Sequence, residues 1–494
     1  MPETPASSIF TAANYRNGNS LINPANYING DWRTEGDGTY NTVVDKYHGT
    51  ELAKLPNATE AQMEAAISAA YASREELKKM SAEGRSSVLE HLAREIAKHD
   101  KDIAELIVME SGKPIMAAYT EVRRSITTLR TAAAEALRFG GEMTPMDLDG
   151  GTGKTAFTKR FPIGVIAAIT PFNFPLNLVL HKVAPAIAAG CPVVLKPSPQ
   201  SPLCSLVLGK IIEWSGLPQG AFSVLICGVP VAEKLVKDER VAMLSFTGSD
   251  KVGWHLKNIC GKKKVALELG GNASVIVDEG VDLSSTAKTV AIGANVYAGQ
   301  TCISTQRIYA VKSVFAPFRD LLVKEYASLK SGDPTDTNVT VGPIIDKGHF
   351  ERIGSWVDEA VKGGATILAG GKPVDADHNV YAPTLLTGTR NSMRVSCAEV
   401  FGPVAVIEEV ADFDEAIAQV NDSSYGLQAG VFTDSVAHMK KAHEKLEVGG
   451  VIIGNVPGFR IDSMPYGGIK DSGLGREGVK YAMEEMSEPR LIVY

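Results

Sequence analysis

The apolar positions change period once along the chain. Between residues 59 and 137 they recur every three or four residues: Met63, Ile67 and Tyr71 on one segment, Val88, Leu89, Leu92 and Ile96 on a second, and Val122, Ile126, Leu129, Ala133 and Leu137 on a third. That spacing predicts amphipathic helices. Thr59-x-x-Gln62 is a capping box that opens the first; the second continues towards stop signals at Gly112 and Pro114, and the third ends at Gly140-Gly141. Ahead of them, YINGDW at 27–32 places Asn29-Gly30 between β-favouring residues, the signal for a type I′ hairpin.

From Phe161 the pattern is one of short β-branched runs, at 165–169, 193–195, 222–226, 241–246, 265–269 and 274–277, alternating with helical segments. Such alternation predicts a parallel, doubly wound sheet. A second alternating region spans about 285–455, with strands expected at 307–311, 404–410 and 450–453 and helices at 315–329 and 350–362. A ligand is expected in the crevice between two such α/β units.

Composition narrows the class. At about 150 residues per domain, 494 residues make roughly three units. Hydrophobic residues at 44% and charged residues at 22% leave disorder without support. The net charge of -7 offers no bulk attraction to nucleic acid or anionic lipid. MPETPASSIFTAANYRNGNS lacks a basic stretch followed by an apolar core, so no secretory signal is expected and the location is expected to be cytoplasmic. The most apolar stretch, 164–180, carries two prolines and two asparagines and is expected to be buried core, not a membrane span. Six cysteines without a CxxC pair suit neither a disulfide framework nor a zinc site, and the nine histidines show no paired ligand spacing, so no metal is expected.

One cysteine stands at an element boundary: Cys302, in GQTC at 299–302, follows a helical pattern over 283–297 and precedes a strand. A thiolate can be presented to a cleft there, although a buried structural cysteine has the same local pattern. Glu268 closes a strand next to Gly270-Gly271-Asn272, a position suited to general-base work. Asn173, in TPFNFP at 170–175, is an amide among apolar residues and prolines, and oxyanion donation is one use for it. GGTGKT at 150–155 ends like a P-loop, but Leu148 stands where the first glycine belongs and no strand leads into it. It reads as a turn entering a strand at 154–161.

Seven ordered strings, TPFNFP (170–175), LKPSPQSP (195–202), FTGSDKVG (246–253), LELGGN (267–272), GQTC (299–302), EVFGP (399–403) and MPYGGIKDSGLGREG (464–478), together resemble the aldehyde dehydrogenase superfamily from about Ile22 onward. The resemblance implies a Rossmann-like doubly wound NAD(P)-binding domain (22–143 and 162–273), an α/β catalytic domain (274–473) and a small β oligomerisation element (144–161 and 474–494). A homodimer or homotetramer is expected. It also assigns roles: Cys302 as nucleophile, Asn173 and the Cys302 backbone N–H as oxyanion donors, and Glu268 as the base that activates water against the thioester. Lys196 would bind the adenine ribose, Gly248, Ser249 and Gly253 the pyrophosphate side, and Glu399 the nicotinamide ribose. Phe401, Ile169, Phe172 and Leu269 would line the cofactor channel. Members that prefer NAD usually carry an acid three positions after the lysine; Pro199 stands there, so NAD and NADP both stay open.

LELGGNAS, the C-terminal glycine-rich string and Glu121-Val122-Arg123-Arg124 look most like the branch of lactaldehyde, phosphonoacetaldehyde and non-phosphorylating glyceraldehyde-3-phosphate dehydrogenases. The implied substrate is a short, oxygenated or anionic aldehyde. Arg124 and Arg460 are the candidate anion ligands, against which stands Thr301, where phosphate-binding members often carry arginine. A CoA-acylating dehydrogenase and a non-catalytic protein of the same fold are the alternatives.

Overall fold

In the computed structural model, which describes residues 25–494, Asn26–Ile28 and Asp31–Arg33 pair antiparallel across Asn29 and Gly30. Both turn residues have positive φ, +54° and +84°, as a type I′ turn requires. The expected boundary residue Ile22 and the N-terminal twenty residues lie outside the described residues. Thr59 and Gln62 form the reciprocal capping box at the head of Glu60–Lys79. That helix buries Met63, Ala66, Ile67, Ala70 and Leu77; Tyr71 is exposed, its ring covered by the guanidinium of Arg74. The second expected helix is two, Ala82–Lys98 and Asp100–Ser111, broken at His99. The third, Ile115–Arg138, buries Val122, Leu129 and Ala133 and leaves Leu137 exposed.

Five of the six expected strands form the parallel centre of one sheet, in the order Phe222–Val224, Val193–Lys196, Val165–Ile169, Val241–Thr247, Lys264–Glu268. Short antiparallel strands close both edges, Asn26–Ile28 with Asp31–Arg33 at one and Gly473–Leu474 at the other. The sixth, Ser274–Val277, instead lies in a second sheet, parallel to Arg307–Val311 and Gln428–Phe432. That sheet continues through Val404–Val410 and Thr384–Thr387 to an antiparallel edge strand, Thr366–Ala369, and ends at Gly450–Ile453 on the other side. Stretch 164–180 is a buried strand, a loop and the start of the helix Asn177–Ala189. Among the described residues no helix is long and apolar enough to cross a membrane, and all six cysteines are free thiols.

The GGTGKT turn leads into Ala156–Pro162, which pairs antiparallel with both Met143–Thr144 and Ser487–Val493 in a separate three-stranded sheet. Within 474–494 only the last strand joins that sheet; the helix Val479–Glu485 buries Val479 and Met483 in the core beneath the first sheet.

Chain order among the parallel strands of the first sheet reverses between Val165–Ile169 and Val241–Thr247: the parallel strands on one side follow the first, those on the other follow the second. The loops leaving the carboxyl ends of these two strands are TPFNFP and Gly248-Ser249. A switch point of this kind is where doubly wound sheets open a ligand crevice.

Candidate active site

A cleft of about 830 Å³ opens at that switch point. Its walls include Cys302, Glu268 and Asn173, the expected cofactor residues Ile169, Phe172, Lys196, Gly248, Ser249, Leu269, Glu399 and Phe401, and the expected substrate residues Arg124, Arg460 and Thr301. Gly253 alone among the expected residues does not reach it. It lies in the helix Asp250–Ile259, where a Cβ would sit 2.3 Å from Leu269 Cδ2, so its glycine lets that helix pack on the strand end.

The helix expected over 283–297 ends at Asn295, and Tyr297, Ala298 and Gly299 then stand in left-handed backbone at φ +55°, +53° and +67°. Two non-glycine residues in this region store strain that their surroundings must hold. Tyr297, fully buried, donates its hydroxyl to the Ser111 carbonyl at 2.9 Å. Gln300 donates to the carbonyls of Tyr297 and Pro343 and accepts from the Ile345 N–H. Gly271 lies against the Cys302 carbonyl, where a Cβ would come within 2.1 Å. Cys302 is thereby fixed from both sides, with Sγ 3.3 Å from the Tyr466 hydroxyl.

Asn173 Nδ2 donates to the Gln300 carbonyl at 2.9 Å, which ties the amide to the cysteine loop and leaves its second N–H for a ligand. The TPFNFP segment is itself clamped. Glu121 Oε1 accepts from the backbone N–H groups of Leu176 and Asn177 at 3.0 and 3.1 Å, capping Asn177–Ala189, which has no side-chain cap of its own. Glu121 is buried and ion-paired with buried Lys113, whose Nζ also lies 3.6 Å from the centroid of the Phe174 ring. Removing one partner strands the other charge. We expect Glu121→Ala to lower unfolding free energy by about 3–5 kcal/mol in urea titration, and a loss below about 1 kcal/mol would contradict the clamp.

Glu268 is the last residue of Lys264–Glu268, paired between Thr247 and Gly473, and is 4% exposed with Oε2 unpartnered. Burial pushes its carboxyl well above the usual range, and the negative charge of Glu477 adds to this against Arg460 and Lys182. Glu477 stays anionic: burial opposes its charge, but Lys182, Arg460 and His181 outweigh burial and hold it at about 2. Burial also pushes the Cys302 thiol up to about 12, with Glu399 and Glu268 adding to the rise and Tyr466 and Arg460 opposing it. The thiol is therefore protonated at neutral pH in the free protein, and the reactive forms of both groups grow as pH rises. Alkylation of Cys302 by iodoacetamide should climb about tenfold per unit from pH 7 to 10. A rate already level below pH 8 would contradict it.

Both candidate arginines are partnered. Arg124, a quarter exposed, grips Asp462 through Nε and Nη2 at 3.2 and 2.7 Å. Asp462 also meets His181 Nε2 at 2.8 Å and Asn177 Nδ2 at 3.2 Å. Arg460 pairs with Glu477 at 3.2 Å and lies 3.6 Å over the Tyr466 ring, while its buried Nε has no partner. Lys182 completes the cluster on Glu477 at 2.8 Å. None of His181, Lys182, Asp462, Tyr466 and Glu477 was singled out from sequence. Tyr466 and Glu477 lie inside the MPYGGIKDSGLGREG string, which was the available signal.

On the cofactor side, Ser249 heads Asp250–Ile259 without a side-chain cap, and Gly248 and Ser249 line the cleft there. Gly270 leaves room for Glu399, since a Cβ there would lie 2.7 Å from Oε2, and the Gly271 N–H donates to Glu399 Oε1 at 2.8 Å. Burial raises the Glu399 carboxyl to about 7, against that N–H bond. Phe172 and Phe401 meet edge to face at 5.9 Å.

Residues 32–492 match the aldehyde dehydrogenase family. The chain is 42% identical to 3-sulfolactaldehyde dehydrogenase of Priestia aryabhattai over 94% of its own length and 97% of that protein's. Its structure resembles aldehyde dehydrogenase 21 from Physcomitrella patens, solved with the reaction product succinate, at a TM-score of 0.91 and 40% identity, covering 95% and 98% of the two chains. It also resembles the glyceraldehyde-3-phosphate dehydrogenase GapN from Methanocaldococcus jannaschii complexed with NADP, at a TM-score of 0.88 and 37% identity over 94% and 99%. These likenesses agree with the expected branch and span nearly the whole of each relative. The chain belongs to the aldehyde dehydrogenase family and is an NAD(P)-dependent aldehyde dehydrogenase.

Proposed function

We propose that the protein oxidises a short aldehyde carrying an oxygen substituent or an anionic group to the carboxylic acid, through a covalent thioester on Cys302 that Glu268-activated water hydrolyses. The carrying observation is that Cys302, Glu268 and Asn173 open on one cleft beside an uncapped helix N-terminus. That N-terminus, Gly248, Ser249, Lys196 and Glu399 suit a dinucleotide, and they would hold its pyrophosphate and ribose groups. The nicotinamide, when bound, supplies the acceptor for the hydride that leaves the aldehyde carbon.

The chain's own residues do the rest. The Cys302 thiolate adds to the carbonyl carbon, forming the S–C bond as the π pair moves to oxygen, and the free N–H of Asn173 and the Cys302 backbone N–H meet that oxygen. Loss of hydride leaves the thioester. Glu268 then takes a proton from water as it attacks, the S–C bond breaks and the thiolate returns. Glu268 is what separates this course from transfer to CoA, so turnover should need no CoA.

Arg124 and Arg460 are proposed to favour an anionic substrate, Arg460 through its unpartnered Nε. The substrates and product in the names of the three relatives point the same way, each carrying an anionic group besides the carbon that is oxidised. Replacing either arginine should raise KM for a carboxylated or phosphorylated aldehyde far more than for propanal; equal effects would remove the anion site. The working form is proposed to be a cytoplasmic homodimer or homotetramer, supported by the edge strand Ser487–Val493 with its exposed Leu491 and Ile492.

Cofactor choice is proposed to turn on Pro199, which lines the cleft with Lys196, Ser198 and Asn41 and brings no carboxylate of its own. Both NAD and NADP are therefore proposed as oxidants. Pro199→Glu should lower kcat/KM for NADP relative to NAD by roughly tenfold or more, through like-charge repulsion. An unchanged ratio would contradict this placement.

A further inference from the structure

The Tyr466 hydroxyl has no packing reason to exist. Tyr466 is 2% exposed and sits in a small apolar cluster with Ile303 and Leu427, against which Cys302 packs. A phenylalanine would fill the same space, and a buried hydroxyl costs free energy unless it is hydrogen-bonded. Its partner is the nucleophile itself, Cys302 Sγ at 3.3 Å. The ring is held rigidly. The Tyr466 N–H donates to the Glu477 carbonyl at 3.0 Å and the Glu477 N–H donates back at 2.7 Å, while the Arg460 guanidinium lies over the ring, its Cζ 3.6 Å from the centroid. The guanidinium draws electron density from the ring and makes the phenol a better donor. Burial keeps that phenol protonated against the nearby Arg460 charge, so it gives a proton to a hydrogen bond and does not take one.

Before attack the O–H donates to the thiolate. Once the S–C bond forms, sulfur has spent that electron pair and is a poor acceptor, while the hydroxyl stays fixed beside it. The carbon next to the aldehyde carbon is then the next atom of the substrate past the new bond, and an oxygen on it comes within the hydroxyl's reach. The aldehyde oxygen itself is turned the other way, towards Asn173 and the Cys302 N–H. Resting on the dehydrogenase function proposed above, we propose that Tyr466 is a positioning and specificity residue: its hydroxyl passes from the thiolate to an oxygen on the substrate's second carbon, and so selects 2-oxygenated aldehydes.

A site built to bond a substrate hydroxyl loses that bond with a deoxy analogue and leaves its own group unpaired. The test compares lactaldehyde with propanal, which differ by that one oxygen, in the parent protein and in Tyr466→Phe, with NADP or NAD saturating. The parent should favour lactaldehyde in kcat/KM, and Tyr466→Phe should cut the lactaldehyde-to-propanal ratio by roughly tenfold or more. Cys302 alkylation in the variant should need higher pH, as the thiolate loses its donor. An unchanged ratio, an equal fall with both aldehydes, or a parent that does not favour lactaldehyde would each overturn the proposal. Propanal turnover keeps the two claims apart: a parent that oxidises propanal without favouring lactaldehyde sinks the role of Tyr466 and leaves the dehydrogenase mechanism standing. A parent that oxidises neither of these, nor a carboxylated or phosphorylated aldehyde, sinks both.

Discussion

Replacing Cys302 with alanine is expected to lower kcat/KM for any aldehyde by roughly 10⁴-fold or more, while the fold survives. The loss is large because no other group at the cleft can form the covalent adduct: Cys302 is the cleft's one thiol beside Glu268 and Asn173, and Cys227, which also touches the cleft, lies at the end of the first sheet near Lys196, its thiol pushed up to about 11 by burial. The fold survives because Gln300 and Tyr297 hold the strained loop through hydrogen bonds that do not involve the sulfur. Steady-state rates and a urea titration measure the two halves. A variant that keeps more than about a hundredth of the activity would show that the thiol is not the nucleophile.

The second large effect separates the two chemical stages. Glu268→Gln should still release close to one equivalent of reduced cofactor per site in a rapid burst, and then turn over about 10²–10³-fold more slowly than the parent. The substitution suits the test physically. Glu268 is buried with its carboxyl pushed well above the usual range, and a neutral amide of the same shape replaces it without adding a charge to the cleft. Its effect therefore falls on proton abstraction from water and not on folding. Stopped-flow absorbance of the reduced nicotinamide reads both phases. Steady turnover equal to the parent's would remove Glu268 as the base, and loss of the burst would place it before hydride transfer.

What the sequence made legible follows from how local each signal is. Strands rich in β-branched residues, such as Val165–Ile169 and Arg307–Val311, lie where their composition puts them, and the Asn29-Gly30 hairpin and the Thr59–Gln62 box are set by neighbouring residues. Gln428–Phe432 was not anticipated, since QAGVF carries two small residues and one valine, and it becomes a strand by pairing with Ser274–Val277 and Gly450–Ile453. The helix break at His99 has neither glycine nor proline to announce it. Tyr71 occupies a helical core position by spacing, yet smaller Ala66 and Ala70 fit that face against the neighbouring elements.

The same division runs through the site. Whereas Asn41, Cys227, Glu233, His349 and Arg352 reach the cleft from outside the motif strings, those strings hold Cys302, Glu268, Asn173 and Glu399. Their electrostatic setting came only from tertiary placement, because Asp462 reaches His181 and Arg124 across 281 and 338 positions, and Glu477 reaches Lys182 across 295. Those contacts change the chemistry: they occupy both candidate arginines with carboxylates, and they hold the charge on Glu477 that adds to burial in raising the Glu268 carboxyl.

The central claim is that oxidation passes through an acyl group on Cys302. Glu268→Gln protein, mixed with propanal and oxidised cofactor, quenched in acid within the burst and digested, should show one propionyl group on the peptide containing Cys302, in an amount equal to the reduced cofactor released. Reduced cofactor formed with that peptide unmodified, or with the acyl group on another residue, would contradict the account.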